Sequence, residues 1–116
     1  MIKPTGLFLD AAAIPWEVVG DGVKRKILGY NDTMMMTIVE FKIGSIGPVH
    51  SHHHTQVTYV NQGSFEVEID GKKQVLRQGD CFLIPSQVFH GVVALEDGVL
   101  VDTFTPARED FLVQKM

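Results

Sequence analysis

The sequence is interrupted by turn-forming residues at intervals of roughly 8–12 residues, and this spacing is the strongest constraint on its fold. Between the turns lie short segments rich in Val, Ile, Phe, Thr and Met, and no segment keeps a helical period over its length. The turn signals are Gly20–Gly22, Asn31–Asp32, Gly44–Pro48, Asn61–Gly63, Asp70–Gly71, Gln78–Asp80 and Glu96–Gly98. The pattern predicts an all-β fold, either a sandwich or a barrel, formed by a single domain that spans residues 1–116.

Alternation of apolar and polar residues predicts which side chains face the core. In the segment Ser64–Asp70, Phe65, Val67 and Ile69 are expected to point inward and the glutamates between them outward. Asp70-Gly71 is expected to close a type I′ hairpin, because glycine accepts a positive φ.

Three further segments carry predictions. Thr33–Ile43 reads as one long strand, and its triplet Met34–Met36 lies either in the core or at a subunit contact. The segments His90–Leu95 and Val99–Thr105 are expected to form a last hairpin. The tail, Arg108–Met116, is expected either to form a short helix or to lie along the barrel.

The composition narrows the classes of function. The net charge is −4 and the chain has no Lys/Arg block, which argues against binding to a nucleic-acid phosphate backbone. No apolar run approaches the roughly 18 residues of a membrane-spanning helix. Asp10 interrupts the short apolar stretch near the N-terminus, so a signal peptide is not expected. The single cysteine, Cys81, is expected to be a small core residue in a cytoplasmic protein.

Four of the five histidines fall within residues 50–54. Histidine is the commonest metal ligand and titrates near neutrality, so the cluster indicates a metal site or an acid–base site. If the chain is extended here, alternation points His50, His52 and Gln56 in one direction. The pair His53–His54 is expected to be solvated or hydrogen-bonded rather than part of that site.

Two stretches resemble the two sequence motifs of the cupin superfamily. The first is formed by Gly44, His50, His52, Gln56 and Gly63, and the second by Gly79, Pro85 and His90. The usual pattern has Glu, Gly and Asn where this chain has Gln56, Gln87 and Ala94. The resemblance implies a small antiparallel jelly-roll β-barrel with a metal ion in its lumen. The implied metal ligands are His50, His52, Gln56 and His90.

The implied donor set consists of three imidazole nitrogens and one amide oxygen. Such donors suit one divalent transition metal ion, either Ni, Zn, Fe, Mn or Co. Replacing the usual carboxylate by the amide of Gln56 removes one negative charge, which makes the ion a stronger Lewis acid and harder to oxidise. This change disfavours oxygen activation and favours a role in polarising a carbonyl or hydroxyl group.

A closer resemblance covers most of the chain. The segments GVKRKILGY, GPVHSHHHTQVTYV and HGVVALEDGVLVDTFTPAREDFL look like the pectin-degradation cupins of the KdgF type. That family implies a sugar-linearising, isomerase-like metalloenzyme of uronate catabolism. Its substrates are 4,5-unsaturated monouronates released by pectate or alginate lyases, and its products are linear 4-deoxy-5-keto uronates. Relatives commonly have Pro and Glu where this chain has His53 and Thr55, which bears on substrate preference more than on metal binding.

Three residues near the C-terminal end are candidate catalytic groups. Asp102 is a carboxylate within an apolar strand, and it faces either the lumen, as a general acid or base, or solvent. The resemblance favours the lumen, where Phe104 shares its face and would pack on the sugar. Arg108 either binds the uronate carboxylate through its bidentate fork or forms a surface ion pair with Glu109 or Asp110.

Two other functions stay open at this point. One is a cupin oxygenase or oxidoreductase that acts on a small substrate, and the other is a non-catalytic cupin that binds a sugar acid. Because cupins are often dimers, we expect a homodimer, and we expect neither a nucleic acid nor a membrane as a partner.

Overall fold

The computed structural model describes residues 2–112 and has an all-β fold. The elements in chain order are η1 (Ala11–Ala13), β1 (Glu17–Gly20), β2 (Val23–Tyr30), β3 (Met35–Phe41), β4 (Ile46–His50), β5 (Thr55–Gln62), β6 (Ser64–Ile69), β7 (Lys72–Arg77), β8 (Cys81–Ile84), β9 (His90–Ala94), β10 (Gly98–Thr105) and η2 (Glu109–Leu112). The helix expected in the tail is the short 3₁₀ helix η2, and residues 113–116 lie outside the described residues. None of the helices within 2–112 is long and apolar enough to cross a membrane.

The strands form two antiparallel sheets. Sheet A has six strands in the order β1-β2-β3-β10-β5-β8, and sheet B has four strands in the order β4-β9-β6-β7. The chain passes repeatedly from one sheet to the other, as it does in a jelly roll. The two sheets face each other without a continuous hydrogen-bonded ring, and the predicted all-β jelly-roll fold is confirmed.

The hydrophobic core lies between the two sheets. Phe41 of sheet A and Phe65 of sheet B contact edge to face, with their ring centroids 5.2 Å apart, which is a favoured geometry for aromatic pairs. Val67 is buried and Ile69 packs against the core, as alternation along β6 predicts. Burial of these side chains fixes the sheets face to face and so brings the residues on their inner faces together.

The tight turn between β6 and β7 has the predicted geometry. Asp70 and Gly71 have φ values of 54° and 78°, as both central residues of a type I′ turn require. Ile69 and Lys72 pair directly on either side of the turn. The predicted hairpin is therefore confirmed.

The predicted hairpin between the last two strands is wrong. β9 pairs with β4 and β6 in sheet B, whereas β10 pairs with β3 and β5 in sheet A. Side chains hold the connection where it crosses: Ser64 donates to Glu96 over 2.6 Å, and Asp97 accepts from the backbone N–H of Ile43 over 2.8 Å. A turn signal predicts a change of direction, but it does not determine which sheet the next strand joins.

The strand predicted at Thr33–Ile43 is shorter at both ends. It begins at Met35, because Oδ1 of Asn31 accepts hydrogen bonds from the backbone N–H groups two and three residues further on and forms a turn. Met35 is fully buried, whereas Met34 and Met36 are 47% and 42% exposed. The methionine triplet therefore divides between the core and the surface.

Cys81 is exposed, so its predicted place in the core is wrong. Side chains of β8 alternate strictly between the two faces. The inward positions are taken by Phe82 and Ile84, which bury more apolar surface than a cysteine would. Cys81 and Leu83 consequently face outward.

Candidate metal centre

Three histidines converge between the sheets. His50, at the end of β4, is the cross-strand partner of His90 at the start of β9, and their ring centroids lie 4.5 Å apart. His52, in the loop after β4, lies 4.8 Å from His90 and 5.6 Å from His50 by the same measure. One ring nitrogen of each histidine lies within 4.8 Å of the other two. The structure thus brings the three predicted imidazole ligands together.

Backbone carbonyl groups fix the orientation of all three rings. The Nδ1 atoms of His50, His52 and His90 lie 2.8, 3.1 and 2.9 Å from the carbonyl oxygens of Pro48, His54 and Val88. Since a carbonyl oxygen only accepts, each Nδ1 carries the proton, and Nε2 of each neutral ring keeps a free lone pair. Such carbonyl partners are typical of metal-binding histidines. Nε2 of His90 is buried and has no hydrogen-bond partner in the described structure.

The side chain of Gln56 on β5 completes the cluster. Its Nε2 donates to Oγ1 of Thr58 over 2.8 Å and to Oδ1 of Asp102 over 3.2 Å. These bonds turn Oε1 toward His52, whose Nε2 is 3.1 Å away. Both atoms are acceptors when His52 is neutral, so a cation bound by both would relieve the repulsion between their lone pairs. The three imidazoles and the amide oxygen therefore fit a divalent transition metal ion.

Burial keeps two of these histidines in the form that binds metal. It lowers the pKa of His52 to about 4, and the positive charge of Arg108 adds to the effect. The pKa of His90 is lowered as well, mainly by burial, against the opposing effect of its hydrogen bond to Val88. Because a metal binds the neutral imidazole, both rings are ready to bind at neutral pH.

Asp102 faces the interior, which is the first of the two orientations predicted for it. The residue is 9% exposed, and its carboxyl group accepts hydrogen bonds from the hydroxyl groups of Thr58 (2.6 Å) and Thr37 (3.3 Å) and from the amide of Gln56. Burial raises the pKa of Asp102, and these hydrogen bonds and the charge of Arg108 oppose the rise. A buried carboxyl group with a raised pKa can hold a proton nearer to neutral pH than a surface carboxylate does.

Arg108 combines features of the two alternatives predicted for it. Its guanidinium group makes a bidentate pair with Asp110, at 3.0 and 2.7 Å, and this bond lowers the pKa of Asp110. The arginine is only 7% exposed, whereas the side chain of Asp110 is 54% exposed, so the predicted ion pair with Asp110 joins a buried guanidinium group to a carboxylate at the surface. Its guanidinium carbon lies 5.0 Å from the ring centroid of the buried Phe104. Arg108 therefore presents a positive charge at the cavity between the sheets.

Two residues of the cavity wall were missed by sequence reasoning. The ring of Phe111 in η2 lies between two guanidinium groups, with Arg25 at 3.7 Å and Arg108 at 3.9 Å from its centroid. Arg25 is in turn held by Glu17, which accepts from its Nη2 over 2.7 Å. The signal for Arg25 was present in β2, where it shares a face with the buried Val23. Phe111 gave no such signal, because Arg25, one of the two arginines in contact with its ring, is distant in sequence.

A cavity of about 260 Å³ collects most of these groups. The predicted site residues that line it are His50, Gln56, His90, Asp102, Phe104 and Arg108. A larger cavity, of about 780 Å³, lies at the Gly98 end of β10, and no histidine is among its lining residues. The smaller cavity is therefore the candidate site, because the predicted histidine, carboxyl and guanidinium groups line it.

The remaining two histidines lie beside the cluster, as predicted. His54 is buried, and its Nε2 donates to Oε2 of Glu109 over 3.0 Å. His53 is exposed and lies 3.7 Å from the other oxygen of the same carboxylate. Both contacts lead away from the three converging histidines and toward η2.

The family comparison covers the centre of the chain. Residues 37–104 match the sequence profile of the cupin domain. The pectin degradation protein KdgF of Dickeya dadantii (strain 3937) is 52% identical over 100 residues, which make up 84% of this chain and 91% of that protein.

Solved structures give the same result. A cupin described as RmlC-like, from Shewanella frigidimarina, superposes with a TM-score of 0.91 at 43% identity and covers 95% of this chain and 99% of that one. KdgF from a Halomonas species superposes with a TM-score of 0.87 at 41% identity, with coverages of 92% and 99%.

Proposed function

Because this chain belongs to the cupin family and, within it, to the family of the pectin degradation protein KdgF, we propose that it converts 4,5-unsaturated monouronates into linear 4-deoxy-5-keto uronates. The observation that carries the proposal is a cluster of three imidazoles, of which His50 and His90 line one cavity together with the amide of Gln56, a buried carboxyl group and a buried guanidinium group. Such a set can bind an oxygen-rich anionic sugar and move a proton on it.

His50, His52, Gln56 and His90 would hold one divalent transition metal ion, which supplies Lewis acidity toward a substrate oxygen when it is bound. The site carries no carboxylate among these four donors. This supports a role in polarising a hydroxyl or carbonyl group rather than in activating oxygen.

Asp102 is the proposed proton carrier. The linear product is an isomer of the cyclic sugar. The anomeric hydroxyl group loses its proton as C1 becomes a carbonyl carbon and the bond from C1 to the ring oxygen breaks, and C4 gains a proton as C5 becomes the keto carbon. Oδ1 of Asp102 accepts two hydrogen bonds at 2.6 and 3.2 Å, whereas Oδ2 has only the 3.3 Å contact with Thr37. Oδ2 is therefore the oxygen that exchanges a proton with the sugar.

Arg108 and Phe104 are the proposed binding groups. Asp110 engages two of the guanidinium donors of Arg108, which leaves the others for the uronate carboxylate. Phe104 is 2% exposed and lines the cavity beside that guanidinium group, and we propose that it contributes apolar surface to the wall against which the sugar ring packs. Together they would hold the substrate with its reacting carbons toward Asp102.

Incubation of the metal-loaded protein with unsaturated galacturonate, followed by loss of ultraviolet absorbance, tests the proposal. We expect an acceleration over buffer that contains the same metal, and we expect Asp102→Asn to lose most of it. If the protein does not accelerate the loss of absorbance over that buffer, the proposed activity is wrong.

We also propose that the protein is a cytoplasmic homodimer. Exposed apolar residues form a row across the outer face of sheet A: Met36, Val57 and Leu83 are 42%, 46% and 58% exposed and are linked through the pairing of β3, β10, β5 and β8. Such a row favours contact with a second copy. The exposed thiol of Cys81 is suited to a reducing compartment.

A further inference from the structure

We propose that His53, His54 and Glu109 form a second, peripheral site for a divalent transition metal ion, which clips the loop between β4 and β5 to η2. The three residues share no member with the cluster of His50, His52 and His90. Their chemistry is independent of which substrate the cavity takes.

The ligand atoms of this peripheral site are already close together, and an ion would bind Nε2 of His54 in the tautomer that carries its proton on Nδ1, in place of the hydrogen bond now donated to Glu109. Nε2 of His54 lies 3.0 Å from Oε2 of Glu109, and Nε2 of His53 lies 3.7 Å from Oε1. The three donors lie within 4.8 Å of one another. Zinc bonds of about 2.0–2.2 Å in a tetrahedral arrangement place neighbouring donors roughly 3.4 Å apart. Small shifts of the exposed side chains would bring all three donors to an ion.

The two imidazole rings are arranged as a pair. Their centroids lie 3.8 Å apart and their planes are tilted by 31°, so the rings are in close contact. Each ring turns its Nε2 toward the same carboxylate. Two imidazoles and one carboxylate are a donor set that zinc uses in proteins, with water in the fourth position.

The three residues differ in burial: one is a fixed, buried ligand, and the other two are open to solvent, from which an ion can arrive. The side chain of His54 is 3% exposed and anchored, whereas those of His53 and Glu109 are 52% and 53% exposed. An ion can therefore arrive from solvent without opening the cavity. Two of the three ligands are exposed here, against one of three in the cluster of His50, His52 and His90, so we expect weaker binding at the peripheral site.

The position of the peripheral site links it to the mouth of the cavity. Glu109 opens η2, and Phe111 in the same turn lies between the guanidinium groups of Arg25 and Arg108. An ion that joins the loop to η2 would hold this ring in place. The second ion would thus act as a structural clip and take no part in the reaction.

Titration of metal-free protein with Zn²⁺, followed by calorimetry and by elemental analysis after dialysis, tests the inference. We expect two equivalents per chain for the wild type, and one equivalent for Glu109→Gln and for His53→Asn. His90→Ala should weaken the tighter equivalent and keep the peripheral one. Glu66→Gln, which alters another half-exposed glutamate that pairs with a basic side chain, is the matched control and should bind two.

A second readout checks the clip itself. Hydrogen exchange of the amides in η2 should slow when Zn²⁺ is added to the wild type, and it should not change in Glu109→Gln. The Glu109→Gln variant should still bind the tighter equivalent of Zn²⁺, and this retained binding shows that the variant is folded. A single equivalent in the wild type, or a second equivalent that survives both Glu109→Gln and His53→Asn within about tenfold in affinity, would overturn the proposal.

Discussion

Thr58 and Asp102 are direct cross-strand partners on β5 and β10, and the hydroxyl group of Thr58 donates a 2.6 Å hydrogen bond to Oδ1 of the buried carboxyl group. The same oxygen accepts from the amide of Gln56, whose own oxygen faces His52. One carboxyl oxygen thus sets the orientation of the amide that is proposed to bind the metal. Asp102 is therefore a positioning residue for Gln56 in addition to its proposed role in catalysis.

Thr58→Val should lower the free energy of unfolding by about 1–3 kcal/mol, because it leaves a buried carboxyl group without its shortest hydrogen bond. It should also weaken metal binding by about 10–100-fold, because Gln56 loses a partner that orients it. Urea unfolding and metal titration measure the two effects. Thr105→Val, at the exposed end of β10, is the control and should stay within about 0.5 kcal/mol. Equal losses in the two variants would contradict the prediction.

Gln56→Glu should keep the metal and lose activity. The new carboxylate would lie where the amide nitrogen now stands, 3.2 Å from Oδ1 of Asp102. Two carboxylates at this distance share a proton, which removes Asp102 from its role. We expect kcat to fall by about tenfold or more, which corresponds to about 1.4 kcal/mol, while elemental analysis finds the metal retained. Gln62→Glu, at an exposed position of the same strand, should turn over like the wild type.

Removal of the metal should abolish activity and reduce stability together. A bound ion stabilises the folded state by about 2.7 kcal/mol at a free concentration of 100 times its Kd. We therefore expect a chelator to lower the Tm and stop turnover, and a divalent transition metal to restore both. Mg²⁺ prefers an all-oxygen shell and should restore neither. Full turnover by protein shown to be metal-free would exclude the proposed mechanism.

Arg108→Lys should raise KM more than it lowers kcat. Lysine keeps the charge but loses both the bidentate pair with Asp110 and the planar contact with Phe111. We expect KM for the uronate to rise about tenfold or more in the ultraviolet assay. Arg77→Lys on the exposed edge strand β7 is the control. An unchanged KM would remove Arg108 from substrate binding.

Val57→Asp should convert the proposed dimer into a monomer. Val57 lies in the middle of the apolar row on sheet A, where a buried charge would be costly at an interface. Light scattering coupled to gel filtration measures the mass. Val75→Asp, at an exposed position of sheet B, should leave the mass unchanged. A wild type that elutes as a monomer would show that the row serves another purpose.

Much of the candidate site could be predicted from local pattern. Strand alternation predicted a common direction for His50, His52 and Gln56, and the three do converge, although β4 ends at His50 and the loop before β5 positions His52. The type I′ turn at Asp70-Gly71 follows from the demand for positive φ. Each of these predictions depends only on residues that are close in sequence.

The features that were missed depend on residues that are far apart in sequence. Turn signals could not show that β9 and β10 join different sheets. Cys81 is the exception, because its outward position follows from its near neighbours Phe82 and Ile84, which take the inner face of β8. The contact of Phe111 with Arg25 joins the tail to β2.

The carbonyl groups that orient His50, His52 and His90 have a genetic consequence. They belong to the main chain, so no single codon change can delete an acceptor while the backbone keeps its path. Replacing the side chain of Val88, for example, leaves its carbonyl in place for His90. Side-chain substitutions at Pro48, His54 or Val88 therefore leave the proton of each ring on Nδ1. The chain can vary the walls of its cavity, and with them its substrate range, without disturbing the nitrogen atoms that face the centre.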